Sequence, residues 1–568
     1  MSSPSATTDT AVPERPPFSE AATLPRLTPE YIKALYPDYM ELVQAQVFFR
    51  HGERTPVANS ITKKGQWAFC ERANYLHAEF MKAIGRFVPR EEALPAPNPD
   101  RIGSGTADSR YTEKTATLKS GVEYEPAQWH VRLSDDGSTK KIDGNAAGSS
   151  DGKKAKGSEM WSPASCDMGQ LSDIGLESLF RTGSFLRSLY VDKLRFLPAV
   201  PEGNLSDWMY IRTTDYSRVI QSTHALLVGL YPGYPASAWN GRWTVFNSDF
   251  LRLFPIHTRL HRFETMHGNF GCYEFLRNFM DTTSEVARRY KWIDDVYKQT
   301  VALESIGKQA AEIIDKPAFG SNFHPVYDEL SAMKGHGMPL PADITADYLN
   351  RLGEVAHHQW SHVMNFTKAQ RLGFGRLVDN VVQTMAQAAE LDQHRDPWYR
   401  RLLGAAGKPA IGPQRTGDLL LGPDGVREET EAEIPRVPKI ALYGGHDITV
   451  GPLSMIMGNQ SEEWVPFASM LTFEMFKDKS ADVEAKSLKR DLPRPATLHR
   501  NIDTDGYFVR VKLNDRVLQV PTCEMSGKHH PKMGSSMCTL AAFFEHVAPI
   551  IATEGDYKNE CGIFPKKD

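Results

Sequence analysis

"QVFFRHGERTPV", residues 46–57, runs from an apolar, β-forming core into Arg50, His51, Gly52 and Arg54. A buried strand rarely ends in so much positive charge, because taking a guanidinium out of water is costly unless it finds a partner. Residues 42–49, LVQAQVFF, read as a strand, and the charged tip reads as the edge of a binding site. The same arrangement recurs twice. "DWMYIRTTD" (207–215) is a strand that ends near Arg212 and Arg218, and "PKIALYGGHDITV" (438–450) is a strand that ends at His446 and Asp447. In open α/β sheets ligands bind outside the carboxyl ends of the strands. If these strands are neighbours, their charges meet in one pocket.

Helical patterns follow each strand. In "GQLSDIGLESLFRTGSFLRSLY" (169–190), Ser172 stands at an N-cap position before an apolar face built on Ile174, Leu176, Phe180, Phe185 and Leu189. "YSRVIQSTHALLVGLYP" (216–232) follows the second strand, and "GPLSMIMG" (451–458), closed by Gly458, follows the third. Thr28-Pro29-Glu30 starts an earlier helix, and "GFGRLVDNVVQTMAQAAE" (373–390) is strongly amphipathic. The expected fold is α/β: a three-layer α/β/α core with a central, mostly parallel sheet flanked by helices, plus a smaller, mainly helical cap. Its expected parts are a disordered tail (1–27), the first part of the core (28–235), a helical cap and linker (236–434) and the second part of the core (435–568). Residues 134–159 are polar and low in complexity and read as a disordered insert, with Lys140, Lys141, Lys153, Lys154 and Lys156 solvating it.

The composition is that of an ordinary globular protein, 41% hydrophobic and 24% charged over 568 residues. A formal net charge of −4 gives no basic field for nucleic acid, and no apolar stretch approaches the roughly 20 residues that span a bilayer. The first 27 residues lack an apolar core and carry Asp9, Glu14 and Glu20, which argues against a secretory leader. Six cysteines do not make a disulfide framework in so long a chain, although Cys523 and Cys538 could pair in an oxidising compartment. The expected location is the cytoplasm, with the mitochondrion as the alternative. No CxxC occurs, so a zinc site of that spacing is not expected.

Several arginines and histidines in one pocket call for a phosphoryl group, which matches the planar fork of arginine. A neutral imidazole among them can act as a nucleophile, and a phosphohistidine divides one difficult displacement into two easier ones. The guanidinium groups would stabilise charge on the equatorial oxygens and hold the histidine neutral. A carboxyl group beside the leaving oxygen can supply its proton, and Asp447 is the candidate. Its ordinary pKa of about 3.9 should rise beside a phosphate.

These residues resemble a known family. "RHGERTP" (50–56) is similar to the R-H-G-x-R-x-P signature of the histidine acid phosphatases, branch 2 of the histidine phosphatase superfamily. "GGHDITV" resembles that family's His-Asp-x-Thr motif, "IRTTDYSR" its middle motif, and Leu171–Gly175 its L-[ST]-x-x-G helix start; "PFASMLTFEMF" and "YFVRVKLND" resemble its last strands. The resemblance implies His51 as nucleophile and Asp447 as proton donor. It implies Arg50, Arg54, Arg218 and His446 as phosphate ligands, a small phosphomonoester as substrate, and no metal or cofactor. His-Asp, in place of His-Ala-Glu, favours acid phosphatase and phytase-like members over the multiple inositol polyphosphate phosphatases. The polar insert and the expected lack of a leader point towards intracellular relatives, which include lysophosphatidate phosphatases. Two alternatives remain: a phosphomutase, and a binding protein without catalysis.

Other residues read more plainly. Arg212 is expected to be structural, paired with Asp215 or another carboxylate. His357-His358 and His529-His530 are read as solvated loop histidines. Cys272 matches a cap cysteine that is disulfide-bonded in secreted relatives and is expected here as a buried thiol.

Overall fold

A computed structural model describes residues 21–57, 61, 67–74, 166–201, 205–232, 254–259, 261, 264–268, 271–306, 324–395, 437–480 except 462, and 503–561 except 553. The chain enters through helix α1 (Pro29–Leu35), where the Thr28 hydroxyl accepts Tyr31 N–H at 3.2 Å. Strand β1 (Met40–Arg50) then sorts the molecule into layers by its alternation. Ala45, Val47 and Phe49 face one hydrophobic cluster, and Phe48 faces the other.

Helix α2 (Asp173–Leu186) follows, then β2 (Met209–Thr214), α3 (Ser217–Leu230) and β3 (His257–Arg259). Five helices come next: α4 (Tyr273–Arg289), α5 (Lys291–Ala302), α6 (His324–Gly335), α7 (Ala346–Met364) and α8 (Thr367–Arg395). The chain returns to the sheet as β4 (Ile440–Gly445), followed by α9 (Asp447–Ile456), β5 (Met470–Asp478) and β6 (Tyr507–Leu513). Short β7 (Arg516–Val517) and β8 (His529–His530), then β9 (Gly534–Thr539), α10 (Leu540–Val547) and α11 (Glu554–Cys561) complete it.

The strand order is β3-β2-β4-β1-β5-β6-β9-β8, with β7 on β6. From β3 to β1 the pairing is parallel, and from β1 outward it is antiparallel. The three-layer α/β fold is therefore present, with a mixed sheet whose parallel half carries the charged strand ends. Register aligns them: Arg50 lies opposite Gly445, and Thr213 opposite Gly444. Leu176, Leu179, Ile220 and Leu226 of α2 and α3 pack on one face. Leu377 and Val381 of α8, Val450 and Leu453 of α9, and Phe543 of α10 pack on the other. Gln44 and Gln46 of β1 also face that side, where their amide groups donate to Thr384 O at 3.1 Å and Val381 O at 3.0 Å. A separate cluster joins α5, α6 and α7 through Val296, Val326, Leu330, Tyr348 and Leu352. Among the described residues no helix is long and apolar enough to cross a membrane.

Several sequence expectations need correction. The N-terminal tail does not extend to residue 27: Ala21 and Ala22 are buried, and Ala22 N–H donates to Phe467 O at 2.8 Å, a contact that small side chains allow. Cys272 is buried but is not a thiol, because it bonds to Cys561, 289 positions away. Cys70 pairs with Cys166, and Cys523 with Cys538. His357 lies buried on α7, and His530 lies buried on β8 with Asp478 Oδ2 at 3.1 Å, so neither is a solvated loop residue. Residues 1–20, the insert at 134–159 and residues 396–434 of the expected cap and linker lie outside the described residues.

The start of α2 holds the charged loop after β1 by backbone-to-backbone contact. A Cβ on Gly52 would lie 2.2 Å from Gly175 O, and one on Gly175 would lie 2.1 Å from Glu53 O. Ser172 N–H and its hydroxyl both donate to Glu53 O, at 3.0 and 3.1 Å. The L-[ST]-x-x-G pattern thus encodes a close approach as well as a helix start. Gly175→Ala should cost about 1–3 kcal/mol in urea unfolding, through overpacking. It should also displace His51 and lower activity more than that loss of stability explains.

Candidate active site

Three strand ends and one helix start build the site. Arg50 is the last residue of β1, and His51 follows it, fixed by His51 N–H to Gly445 O at 3.1 Å and Ala468 N–H to His51 O at 3.1 Å. His446 stands between β4 and α9, where its N–H donates to the Thr449 hydroxyl at 3.0 Å. Asp447 is the first residue of α9, where the positive end of the helix dipole favours a carboxylate. Arg218 lies in the first turn of α3. The structure therefore brings together Arg50, His51, Arg54, Arg218, His446 and Asp447. Arg212 stays apart as the expected structural residue, ion-paired to the buried Glu264 and bonded to Thr265 Oγ1 at 3.0 Å.

The His51 ring is oriented by its neighbour. Its Nδ1 lies 2.8 Å from Gly52 O. A carbonyl oxygen only accepts, so Nδ1 carries the proton and Nε2 keeps its lone pair. The His446 ring stands 5.3 Å from that of His51, and its Nε2 lies 2.9 Å from Thr214 Oγ1. Burial depresses the His51 pKa well below the usual histidine value, and Arg218, Arg54 and Arg50 push it the same way. His446 is likewise held neutral, by burial first and then by His267 and Arg218.

Each arginine is anchored by the fold. Arg50 Nη1 donates to Val465 O at 2.7 Å, its Nη2 pairs with Asp447 Oδ2 at 3.0 Å, and its guanidinium stacks 4.1 Å from the Phe467 ring centre. Arg54 forms a bidentate pair with Asp328 of α6, at 2.8 and 3.0 Å. Arg218 lies 4.6 Å from the Tyr216 ring centre and 3.5 Å from Gly169 O. All three are nearly buried, at 6%, 6% and 8% exposure. Arg50 Nε and Arg54 Nε are buried N–H donors that have no hydrogen-bond partner among the described residues. Buried donors left unmatched are costly, and a phosphoryl group would satisfy them.

Asp447 is surrounded by donors. Oδ2 accepts Trp464 Nε1–H at 3.2 Å as well as Arg50, and Oδ1 accepts Ile448 N–H at 2.8 Å. Burial alone would raise its pKa, but Arg50 and Arg54 outweigh that and hold the carboxyl well below the usual range. Among the described residues no three histidine, cysteine or acidic side chains gather as a metal site, and the positive charge of the pocket is carried by arginine.

Thr214, Trp464, Phe467 and Asp328 were not legible as site residues. Thr214 had a signal, as the second threonine of "IRTTD", and Phe467 stands in the strand stretch "PFASMLTFEMF", which gave no sign of a site; Trp464 and Asp328 lie outside the motifs and reach the pocket through the fold.

The fold and the site define a phosphatase of the α/β class with a histidine among arginines at the strand ends. The chain belongs to the histidine phosphatase superfamily, branch 2, whose family model matches residues 41–514. It is 23% identical to Counting factor 60 of Dictyostelium discoideum over 400 residues, 70% of this chain and 73% of the relative. It is 20% identical to a probable acid phosphatase of Schizosaccharomyces pombe over 548 residues, 91% and 94% of the two chains. Among solved structures, the apo form of Hafnia alvei phytase aligns with a TM-score of 0.45 and 13% identity, covering 92% of this chain and 99% of that one.

The His51 environment makes a direct prediction. A histidine whose native pKa is depressed stays neutral as pH falls past its ordinary value of about 6.5. In an NMR titration from pH 7 to pH 5 the His51 ring resonances should not move, whereas exposed histidines shift. A His51 midpoint near 6.5 would contradict the reading of the arginine ring.

Proposed function

We propose that the chain is an acid phosphomonoesterase that works through a phosphohistidine on His51. The observation that carries this reading is the 2.8 Å contact of His51 Nδ1 with Gly52 O inside the ring of buried arginines. It leaves Nε2 as a neutral nucleophile next to donors suited to a phosphoryl group. Arg50, Arg54, Arg218 and His446 bind the phosphoryl oxygens. Nε2 attacks phosphorus, the P–O bond to the alcohol breaks, and the leaving oxygen takes a proton from Asp447. Water then attacks the phosphohistidine, returns a proton to Asp447, and releases phosphate and neutral His51.

The ionised state of Asp447 places a condition on that cycle. The donors around the carboxylate keep it deprotonated in the free pocket, so the proton enters with the monoanionic ester, whose second pKa is about 6 by analogy with other phosphomonoesters. An incoming phosphate also weakens the hold of Arg50 on Asp447 and raises its pKa. Both effects favour acid conditions.

The test uses single-turnover phosphorylation and two leaving groups. His51→Ala should form no phosphoenzyme from p-nitrophenyl phosphate while melting near the wild-type temperature. Asp447→Asn should lose about a hundred- to ten-thousandfold with an alkyl phosphate, whose alkoxide needs its proton, and clearly less with p-nitrophenyl phosphate. Equal losses would remove Asp447 as the acid, and a turning-over His51→Ala would remove the mechanism. Lysophosphatidate, a substrate of some relatives that the sequence resembles, belongs on the same alkyl phosphate panel.

For the compartment, we propose an oxidising one in place of the cytoplasm. The support is the pairing of all six cysteines in three disulfides, a pattern rare where glutathione keeps thiols reduced. Alkylation of the denatured, unreduced protein taken directly from its source should label no cysteine. Labelling of all six would return the protein to a reducing compartment.

A further inference from the structure

Asp328 lies in none of the sequence motifs, yet it decides what Arg54 has left to offer. Its carboxylate meets Arg54 end-on, through Nη1 at 3.0 Å and Nη2 at 2.8 Å, and also accepts Val57 N–H at 3.1 Å. The other Nη1 hydrogen goes to Thr55 O at 3.0 Å. A guanidinium has five N–H groups, so Nε–H and the outer Nη2–H remain along its side edge. Nε is buried and has no partner among the described residues. Such an edge offers two near-parallel donors, the geometry that takes two oxygens of one phosphoryl group.

Charge makes the same point. With His51 and His446 neutral, Arg50, Arg54 and Arg218 face the carboxylates of Asp447 and Asp328, and these five side chains sum to one positive charge. That suits a single phosphoryl group. Asp328 of α6 borders the pocket through Arg54 and keeps 15% of its side chain exposed, so an ester whose phosphoryl group meets the side edge of Arg54 would carry its alcohol past this carboxylate. A second phosphate on the alcohol would approach this carboxylate with no further cation among the five to meet it, and like charges brought together in a partly dry site repel strongly.

We infer that Asp328 is a specificity-determining residue: it holds Arg54 end-on so that its side edge meets one phosphoryl group, and its charge selects alcohols that carry no other phosphate. The inference rests on the phosphomonoesterase reading of the His51 pocket.

The experiment compares kcat/KM for p-nitrophenyl phosphate and myo-inositol hexakisphosphate in wild type, Asp328→Asn and Asp328→Glu. Asparagine keeps an oxygen for Arg54 but removes the charge. The ratio of hexakisphosphate to p-nitrophenyl phosphate should rise by about tenfold, mainly through a lower KM for the hexakisphosphate. Glutamate keeps the charge and should keep the ratio. A merely structural role would lower both substrates together and leave the ratio unchanged, which would overturn the inference, as would a wild type that prefers the hexakisphosphate. Should Asp328→Asn not fold, wild-type inhibition decides: inorganic phosphate should inhibit more tightly than tripolyphosphate, and the reverse order sinks the proposal. Failure of the underlying reading looks different, since wild type would then not hydrolyse p-nitrophenyl phosphate at all.

Discussion

Three guanidinium groups buried in one pocket repel one another, and much of the surrounding structure exists to tolerate that. Each is held from behind: Arg50 by Asp447, Val465 O and the Phe467 ring; Arg54 by Asp328 and Thr55 O; Arg218 by the Tyr216 ring and Gly169 O. Buried charge is tolerated only where partners replace the lost hydration. Two carboxylates for three cations leave an excess of one positive charge. That excess attracts an anion, and the same field adds to burial in keeping the His51 imidazole neutral. Anion binding and the nucleophilicity proposed for His51 thus have one electrostatic origin.

A field of this kind is useful only if the loop that carries it cannot spread. Gly52 and Gly175 let two backbones approach more closely than any side chain permits, and Ser172 fastens Glu53 O from two donors. The Cys70–Cys166 disulfide closes a loop of 96 positions next to this contact. Cross-linking a long loop restricts the unfolded chain. It also keeps the segment from Cys166 to Ser172, including the Gly169 carbonyl that meets Arg218, beside residues 67–74, where Asp173 N–H donates to Phe69 O at 2.7 Å.

What the sequence made legible follows the range of each interaction. The charged strand ends, the helix starts at Thr28 and Ser172 and the alternation of β1 are local, and they gave the core strands and the residues of the pocket. Gly175 was visible as part of a motif, but its reason, contact with the backbone of Glu53, belongs to the fold. Asp328 and Trp464 could not be read at all: Asp328 reaches Arg54 across 274 positions of chain, Trp464 reaches Asp447 across 17, and neither sits in a patterned stretch. Cys272 and Cys561 failed for the same reason: no spacing rule links residues 289 apart. The antiparallel half of the sheet was also hidden, because strands buried on both faces look alike whichever way they run.

The histidines that burial keeps neutral in this fold weigh against it in acid. Burial lowers the pKa of His224 to about 3 and that of His267 to about 4, and His51, His446, His324, His336 and His546 are shifted the same way. Unfolded histidine binds a proton near pH 6.5, so as pH falls below that value the unfolded chain takes up protons that the native state refuses, and stability falls. The carboxylates act in the same direction at lower pH. Asp447 is depressed, and Glu474, though burial would raise it, is brought to about 2 by Lys512 and Arg510; their stabilisation is complete above the ordinary carboxylate range and lost as pH falls through their native values. On the proposed mechanism, which favours an ester that still carries its proton, the protein is therefore drawn towards conditions that weaken its fold. The three disulfides, which restrain the unfolded chain at any pH, oppose that loss without titrating.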